Sequence, residues 1–204
     1  SGSPGVRKAL FEPNPATVRR IDQLRKTGCV VVAPLSIVED VAAMLIQCIE
    51  RTAQSLVIVP LLHPKCVDAH VPNRGITYED YYRKVLSSYA DRVVWMSDRF
   101  EDVIVASDAL VTGFSTTMFT ALQHGRMVAS LWTAETQSMI QATGGIKTLP
   151  WFEQGLPYTE APCNLYELLR PSPLLRDTLL PFDPEIIVAA IQSHVETQNS
   201  NPSF

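Results

Sequence analysis

Hydroxyl side chains are concentrated in one stretch, ALVTGFSTTMFTALQHGR, at residues 109–126. They belong to Thr112, Ser115, Thr116 and Thr117. A helix is predicted to begin near Ser115 or Thr116 and to end at Gly125. The free N–H groups and positive dipole end of such a helix, with hydroxyl donors and a close approach at Gly113, suit a phosphate or diphosphate. One hydroxyl is enough to cap a helix, so plain capping remains the alternative interpretation.

Other polar residues follow the ends of predicted apolar strands. His63 could bind phosphate, act as an acid or base, or only bond a loop carbonyl. Lys65 could pair with a phosphate as a point charge, or could be a solvated surface lysine. Ser36 carries a similar ambiguity between binding and a local role. Asp98 is predicted to cap the helix that begins at Phe100. Glu135 could accept hydrogen bonds from ribose hydroxyls, or could simply be solvated.

Strand and helix patterns alternate along the first two thirds of the chain. Apolar strands are predicted at 29–36, 55–64, 91–98, 109–114 and 127–132. Helices are predicted at 13–28, 38–54, 77–90, 100–108 and 115–125. Continuous apolar strands joined by helices indicate an α/β fold, a Rossmann-like doubly wound parallel sheet of about five or six strands with helices on both faces. Ligands bind at the carboxyl ends of such strands, where the polar residues above collect.

The 204 residues suit one domain of ordinary size. Residues 1–14 are interpreted as a tag remnant or an N-terminal arm, because SGSPGV has the small-residue composition of an expression scar. Residues 15–135 are predicted to form a Rossmann-like nucleotide-binding core. Residues 136–204 are predicted to be an irregular, proline-rich segment with a C-terminal helix, capped by Asp183, that packs on the core.

Composition excludes several classes of protein. The net charge of −4 and the absence of a basic stretch argue against nucleic acid as a partner. The four cysteines form no CxxC pair, which argues against a disulfide scaffold or a zinc site and favours a reduced, cytoplasmic setting. No apolar run approaches the roughly 20 residues of a transmembrane helix.

Several catalytic motifs are also missing from the sequence. GxGxxG, GxxxxGK[ST] and GxSxG do not occur, which argues against a dinucleotide fingerprint, a P-loop and a serine-hydrolase elbow. No DxD motif or His/carboxylate cluster indicates a metal. No cofactor and no metal are therefore expected.

The segment SDALVTGFSTTMFTALQHGRMV, at 107–128, resembles a block of B-type glycosyltransferases that reads SD, a strand, a hydroxyl pair and a helix ending in Gly-Lys/Arg-Pro. Together with the His-Pro that ends the second strand, it is most similar to CDP-glycerol glycerophosphotransferases and to capsule and polysialic-acid transferases. UDP-N-acetylglucosamine 2-epimerases share the architecture and a related block. This chain departs from the block in two places: Phe119-Thr120-Ala121 stands where a carboxylate is expected, and Met127 replaces the proline.

The resemblance implies the C-terminal, donor-binding domain of such an enzyme, in which the His-Pro and hydroxyl-loop residues contact the donor phosphates. Here those residues are His63, Ser115, Thr116 and Thr117. The ligand that the resemblance implies is a substrate-type nucleotide, such as a CDP- or UDP-linked donor. Catalysis in polysaccharide biosynthesis would then require an N-terminal acceptor domain or a partner subunit, in the cytoplasm or at the membrane periphery through that partner. The alternatives are a non-catalytic nucleotide-binding or structural interaction module, and an epimerase remnant.

Overall fold

A computed structural model describes residues 12–113, 115, 117–134, 136–138 and 155–169. The helices are α1 Pro15–Arg25, α2 Glu39–Arg51, α3 Lys65–Asp68, α4 Tyr78–Leu86, α5 Phe100–Ala106, α6 Thr117–Gln123 and α7 Leu165–Leu168, with a 3-10 turn at Ser87–Tyr89. The strands are β1 Cys29–Leu35, β2 Leu56–Leu62, β3 Ala109–Thr112, β4 Met127–Leu131 and β5 Tyr158–Thr159.

The five strands form one parallel sheet in the order β2-β1-β3-β4-β5. In this register Val31 of β1 lies opposite Ile58 of β2 on one side and Ala109 of β3 on the other. The chain builds outward from β1 to β2, then returns across β1 to add β3, β4 and β5 on the other side. The predicted α/β fold with a Rossmann-like parallel sheet is thereby confirmed.

The sheet buries both of its faces because successive strand side chains point in opposite directions. In β1, Val31, Ala33 and Leu35 belong to one buried cluster, which also contains Leu45 of α2. Val30 and Val32 belong to the other cluster, with Ile21 of α1, Ile104 of α5 and Met118 of α6. Continuous apolar strands therefore reflect two cores, one under each layer of helices.

Helix ends follow the signals in the sequence. Asn14 caps α1, with its side-chain oxygen accepting a hydrogen bond from the Ala16 N–H at 2.8 Å. Thr77 caps α4 by accepting a bond from the Asp80 N–H at 3.1 Å. Gly125 follows α6 with φ of +68°, a conformation that glycine adopts without steric cost.

The prediction that Asp98 caps the helix beginning at Phe100 is wrong. The residue at the cap position of α5 is Arg99, whose side chain makes no capping bond. Asp98 instead accepts hydrogen bonds from Thr17 Oγ1 at 2.8 Å and Arg20 Nη1 at 2.6 Å. The carboxylate therefore ties α1 to the loop that precedes α5.

The predicted strand at 91–98 is also wrong, because this segment makes only an isolated parallel bridge between Val93 and Ile58 of β2. The bridge consists of the Ile58 N–H to the Arg92 carbonyl, at 2.7 Å, and the Val94 N–H to the Ile58 carbonyl, at 2.9 Å. The next residue of β2 whose N–H would point away from β1 is Pro60, two residues later, and proline has no N–H. Proline in β2 therefore stops the ladder after one bridge.

The C-terminal segment contributes a strand that the sequence pattern did not predict. β5 pairs with β4, where the Trp132 N–H donates to the Thr159 carbonyl at 2.8 Å. The chain then returns to α2, and the Leu165 N–H donates to Thr52 Oγ1 at 2.9 Å. The domain boundaries at 14/15 and 135/136 stay predictions, and the predicted C-terminal helix with its Asp183 cap lies outside the described residues. None of the helices described is both long and apolar enough to cross a membrane.

Candidate functional site

A pocket of about 560 Å³ opens at the carboxyl edge of the sheet, between the ends of β1 and β3. Its lining residues are Pro34, Leu35, Ser36, Val38, Val41, Leu61, His63, Pro64, Phe100, Glu101, Thr112, Gly113, Ser115, Thr117 and Thr136. β1 and β3 are the strands between which the direction of chain building reverses. Such a switch point opens a crevice because the connections leaving the two strands diverge, and ligands of open α/β sheets bind there.

The loop after β2 holds His63 at the rim of this pocket. The His63 N–H donates to the Leu35 carbonyl at 2.8 Å, which extends the pairing of β1 and β2 by one residue. Its ring Nδ1 accepts a hydrogen bond from the Lys65 N–H at 3.1 Å. An imidazole nitrogen that accepts a bond carries no proton, so neutral His63 has its proton on Nε2. The exposed ring therefore offers an N–H donor.

Two buried hydroxyl or thiol groups fix the loops behind the rim. Tyr82 donates from its hydroxyl to the Ser36 carbonyl and to the Val38 carbonyl, the latter at 3.1 Å. Cys66 donates from its thiol to the Leu35 carbonyl at 3.7 Å. Burial raises the pKa of the Cys66 thiol to about 11 and raises the pKa of Tyr82 above its ordinary range. Both groups consequently keep their protons at neutral pH and remain donors.

The hydroxyl loop forms an internal network at the start of α6. Ser115 Oγ accepts hydrogen bonds from the Thr117 N–H at 3.3 Å and from Thr117 Oγ1 at 2.8 Å. The first of these bonds has the geometry of a helix cap, so capping is one real role of the cluster. Both lone pairs of the Ser115 oxygen are engaged, and its own hydroxyl proton is left to be donated elsewhere.

Gly113 has a packing role as well as a place in the pocket wall. A Cβ at this position would lie 2.6 Å from Cγ2 of Val41 and 3.2 Å from Oγ1 of Thr136. The Gly113 carbonyl also accepts a bond from the buried Ser130 hydroxyl at 2.5 Å. The missing side chain thus lets α2 pack against the end of β3. A close approach of a ligand to the Gly113 backbone stays a prediction.

The structure brings together residues that the sequence predicted separately. Ser36, His63, Thr112, Gly113, Ser115 and Thr117 all line the pocket. Lys65 is exposed at the first position of α3 and is not among the described lining residues. Thr116 and Glu135 lie outside the described residues, so their predicted roles in phosphate and ribose binding stay predictions.

Nine of the fifteen described lining residues were not predicted as site residues, and three of these nine lie beside loops that were expected at this edge. Phe100 and Glu101 begin α5, directly after the loop that was expected at this edge, and Thr136 follows Glu135. Thr136 is almost completely buried, and its hydroxyl bonds to Thr133 Oγ1 at 2.8 Å. The position of the loops gave a usable signal for all three, but the sequence does not indicate which way each side chain turns.

Ser107 and Asp108, the first two residues of the resemblance block, serve the opposite edge of the sheet. Asp108 accepts hydrogen bonds from the Val30 N–H at 2.9 Å and from Arg25 Nε at 2.7 Å. Ser107 donates from its hydroxyl to the Ile104 carbonyl at 2.9 Å. These two residues therefore fix β3 against β1 and α5, and only the middle of the block reaches the pocket. Within the part of the chain that is described, no group of His, Cys, Asp or Glu side chains is arranged to hold a metal ion.

A parallel sheet of this order, with a pocket at its switch point, defines a Rossmann-like α/β domain. The chain is similar in particular to the wall teichoic acid polymerase TagF, in two structures of a histidine variant soaked with CDPG. The structure from the 30-minute soak matches with a TM-score of 0.52 and 15% identity, over 90% of this chain and 48% of that chain. The structure from the 15-minute soak matches with a TM-score of 0.50 and 16% identity, over 80% of this chain and 38% of that chain.

These matches confirm, at the level of the fold, the resemblance to the CDP-glycerol glycerophosphotransferase group of B-type glycosyltransferases. The chain spans less than half the length of the TagF chains it matches. No family model matches the chain, and no curated protein matches it.

Proposed function

We propose that this chain is the donor-binding half of a glycosyltransferase-type enzyme and that its pocket binds a nucleotide-linked donor. The supporting observation is the position of the pocket, which brings Ser36, His63, Thr112, Ser115 and Thr117 to the switch point of the sheet. A CDP-linked donor is the first candidate, because CDPG was soaked into the similar TagF structures. A UDP-linked donor is the second.

Neutral hydrogen-bond donors are the chemical means of holding the donor phosphates. His63 offers an Nε2–H and Ser115 offers a hydroxyl proton, and each has its other polar contacts satisfied inside the protein. During transfer, the bond between the donor group and the nucleotide breaks and negative charge collects on the departing phosphate. Preorganised donors that face this charge lower the barrier without a metal. An acceptor domain or a partner subunit would supply the acceptor and the catalytic base.

A purely binding or structural module is the second candidate function. It is favoured by the composition of the pocket, whose described lining residues include no Lys or Arg to balance a diphosphate.

Calorimetric titration with CDP, UDP, GDP and CMP separates the two functions. The donor-binding function predicts that one nucleoside diphosphate binds and that Ser115→Ala weakens it roughly tenfold, the value of one hydrogen bond to a charged group. Ser87→Ala is the control, since the Ser87 hydroxyl likewise makes a local hydrogen bond at a helix end, donating to the Lys84 carbonyl at 2.7 Å, but Ser87 is not among the described pocket residues. Failure of every nucleotide to bind would contradict donor binding and leave the structural function.

A further inference from the structure

The pocket has an unusual charge balance for a phosphate site. Glu101 is the only charged side chain among the described lining residues, and the remaining polar groups are His63 and hydroxyls. A diphosphate that entered would therefore meet a carboxylate and no cation. Phosphate sites normally contain a cation or several N–H donors, because desolvated negative charge needs compensation.

A cation is held next to this carboxylate. Arg99 precedes α5, and its Nε lies 3.4 Å from Glu101 Oε2 and 3.6 Å from Asp102 Oδ2. The Arg99 side chain is 61% exposed, and that of Glu101 is 48% exposed. Exposed ion pairs are weak, so little free energy is needed to exchange one partner of Arg99 for another.

The two carboxylates that hold Arg99 differ in their other contacts. Asp102 is nearly buried and also accepts a hydrogen bond from the Asn14 N–H at 3.1 Å. That bond anchors the end of α1 to α5, so Asp102 has a structural role without Arg99. Glu101 lines the pocket itself, so the guanidinium of Arg99 lies next to a carboxylate that belongs to the pocket wall.

We propose that Arg99 is the cation of the donor-phosphate site and that Glu101 holds it at the pocket mouth until a phosphate replaces the carboxylate. The inference rests on the proposed function and assigns the ligand class as a nucleoside diphosphate conjugate. A guanidinium binds two phosphate oxygens with parallel N–H groups, a geometry that a carboxylate also accepts. The Arg99 guanidinium can therefore bind either the Glu101 carboxylate or a phosphate with the same N–H groups.

This role predicts effects of opposite sign for the two members of the pair. Arg99→Gln removes the cation and should weaken CDP binding by roughly 10- to 100-fold, the range for one charge-assisted contact. Glu101→Gln removes the competing carboxylate and should tighten CDP binding. Calorimetry at fixed, low ionic strength measures both, and the melting temperature of each variant checks that it is folded.

A second ion pair on the surface supplies matched controls. Arg83 and Glu79 of α4 are 2.9 Å apart, and Arg83 is 50% exposed, but neither is among the described pocket residues. Arg83→Gln and Glu79→Gln should leave CDP affinity unchanged. Equal weakening by the two Arg→Gln substitutions, together with equal tightening by the two Glu→Gln substitutions, would show a nonspecific effect of surface charge and overturn the role of Arg99.

The outcomes separate this inference from the function on which it rests. Failure of the unaltered chain to bind CDP, UDP, GDP or CMP contradicts both. Binding of CDP that Ser115→Ala weakens, but that Arg99→Gln leaves unchanged, supports donor binding and overturns the role of Arg99. Weaker binding after Glu101→Gln also overturns it, because Glu101 would then contact the ligand itself.

Discussion

The Ser115 hydroxyl and the His63 ring divide their polar atoms between the protein and the pocket. Each accepts a bond from a nearby backbone N–H, that of Thr117 or that of Lys65. Each keeps one proton that no described group is shown to accept. Capping and ligand binding are therefore compatible roles for the same residue, since they use different atoms.

The two nitrogens of His63 can be tested separately. In His63→Gln the side-chain amide nitrogen reaches the Nε2 position, whereas in His63→Asn the side-chain oxygen reaches the Nδ1 position. If Nε2–H binds the donor phosphate, we expect His63→Gln to retain CDP affinity and His63→Asn to lose roughly tenfold, as measured by calorimetry. The opposite order, with affinity retained only by His63→Asn, would show that the bond to the Lys65 N–H is the important one.

The destabilisation caused by a side chain at position 113 is expected to depend on Val41. Gly113→Ala places a Cβ against Val41 Cγ2 and should lower the free energy of unfolding by about 1–3 kcal/mol, the usual cost of overpacking. Because Val41→Ala removes the clashing methyl groups, the double variant should be more stable than the sum of the single effects predicts. Urea denaturation of the three variants measures this coupling, and strictly additive effects would contradict it.

Among the elements, the segment after α4 shows how a single residue ends a strand. Its apolar sequence, RVVWM, favours a strand as strongly as the other predicted strands do. The neighbouring β2 offers an N–H at Ile58 but none at Pro60, so the segment forms one bridge and then leaves the sheet. The strand propensity belongs to residues 92–96, but the missing N–H that ends the pairing belongs to Pro60 of β2.

Replacing Pro60 should lengthen this edge. Pro60→Ala adds an N–H that faces the Val94 carbonyl, and we expect that amide to be protected from hydrogen exchange as in a sheet. Slower exchange should extend to residues 94–96, with the Val59 amide as an internal standard. Exchange of the residue 60 amide at the rate of an exposed loop would contradict the role of proline.

On the scale of the whole molecule, residues 158–169 connect the β4 edge of the sheet to α2. β5 joins the edge at β4, and the following residues cross to α2, where the Leu165 N–H bonds Thr52. Leu165 and Leu169 enter the same buried cluster as β1 and α2. This segment should therefore contribute to the stability of the entire sheet.

A matched pair of substitutions tests that contribution. Leu165 is fully buried, whereas its neighbour Tyr166 is 52% exposed. Leu165→Ala should lower the free energy of unfolding by about 2–5 kcal/mol, and Tyr166→Ala should change it by less than about 0.5 kcal/mol. Both are measured by urea denaturation followed by circular dichroism. Equal, small effects would show that the segment lies on the core without stabilising it.

The sequence by itself determined the class of fold, the main strands and helices, and the edge of the sheet where polar residues collect. These depend on local patterns, such as apolar runs, the Asn14 cap and the Gly125 stop, and on the general rule for parallel sheets. Only the tertiary structure decided that Val93 makes a single bridge, that β5 completes the sheet, and that Glu101 turns into the pocket while Lys65 does not. Those outcomes depend on contacts between residues far apart in the chain, Ile58 with Val94 or Val41 with Gly113, which no local pattern encodes.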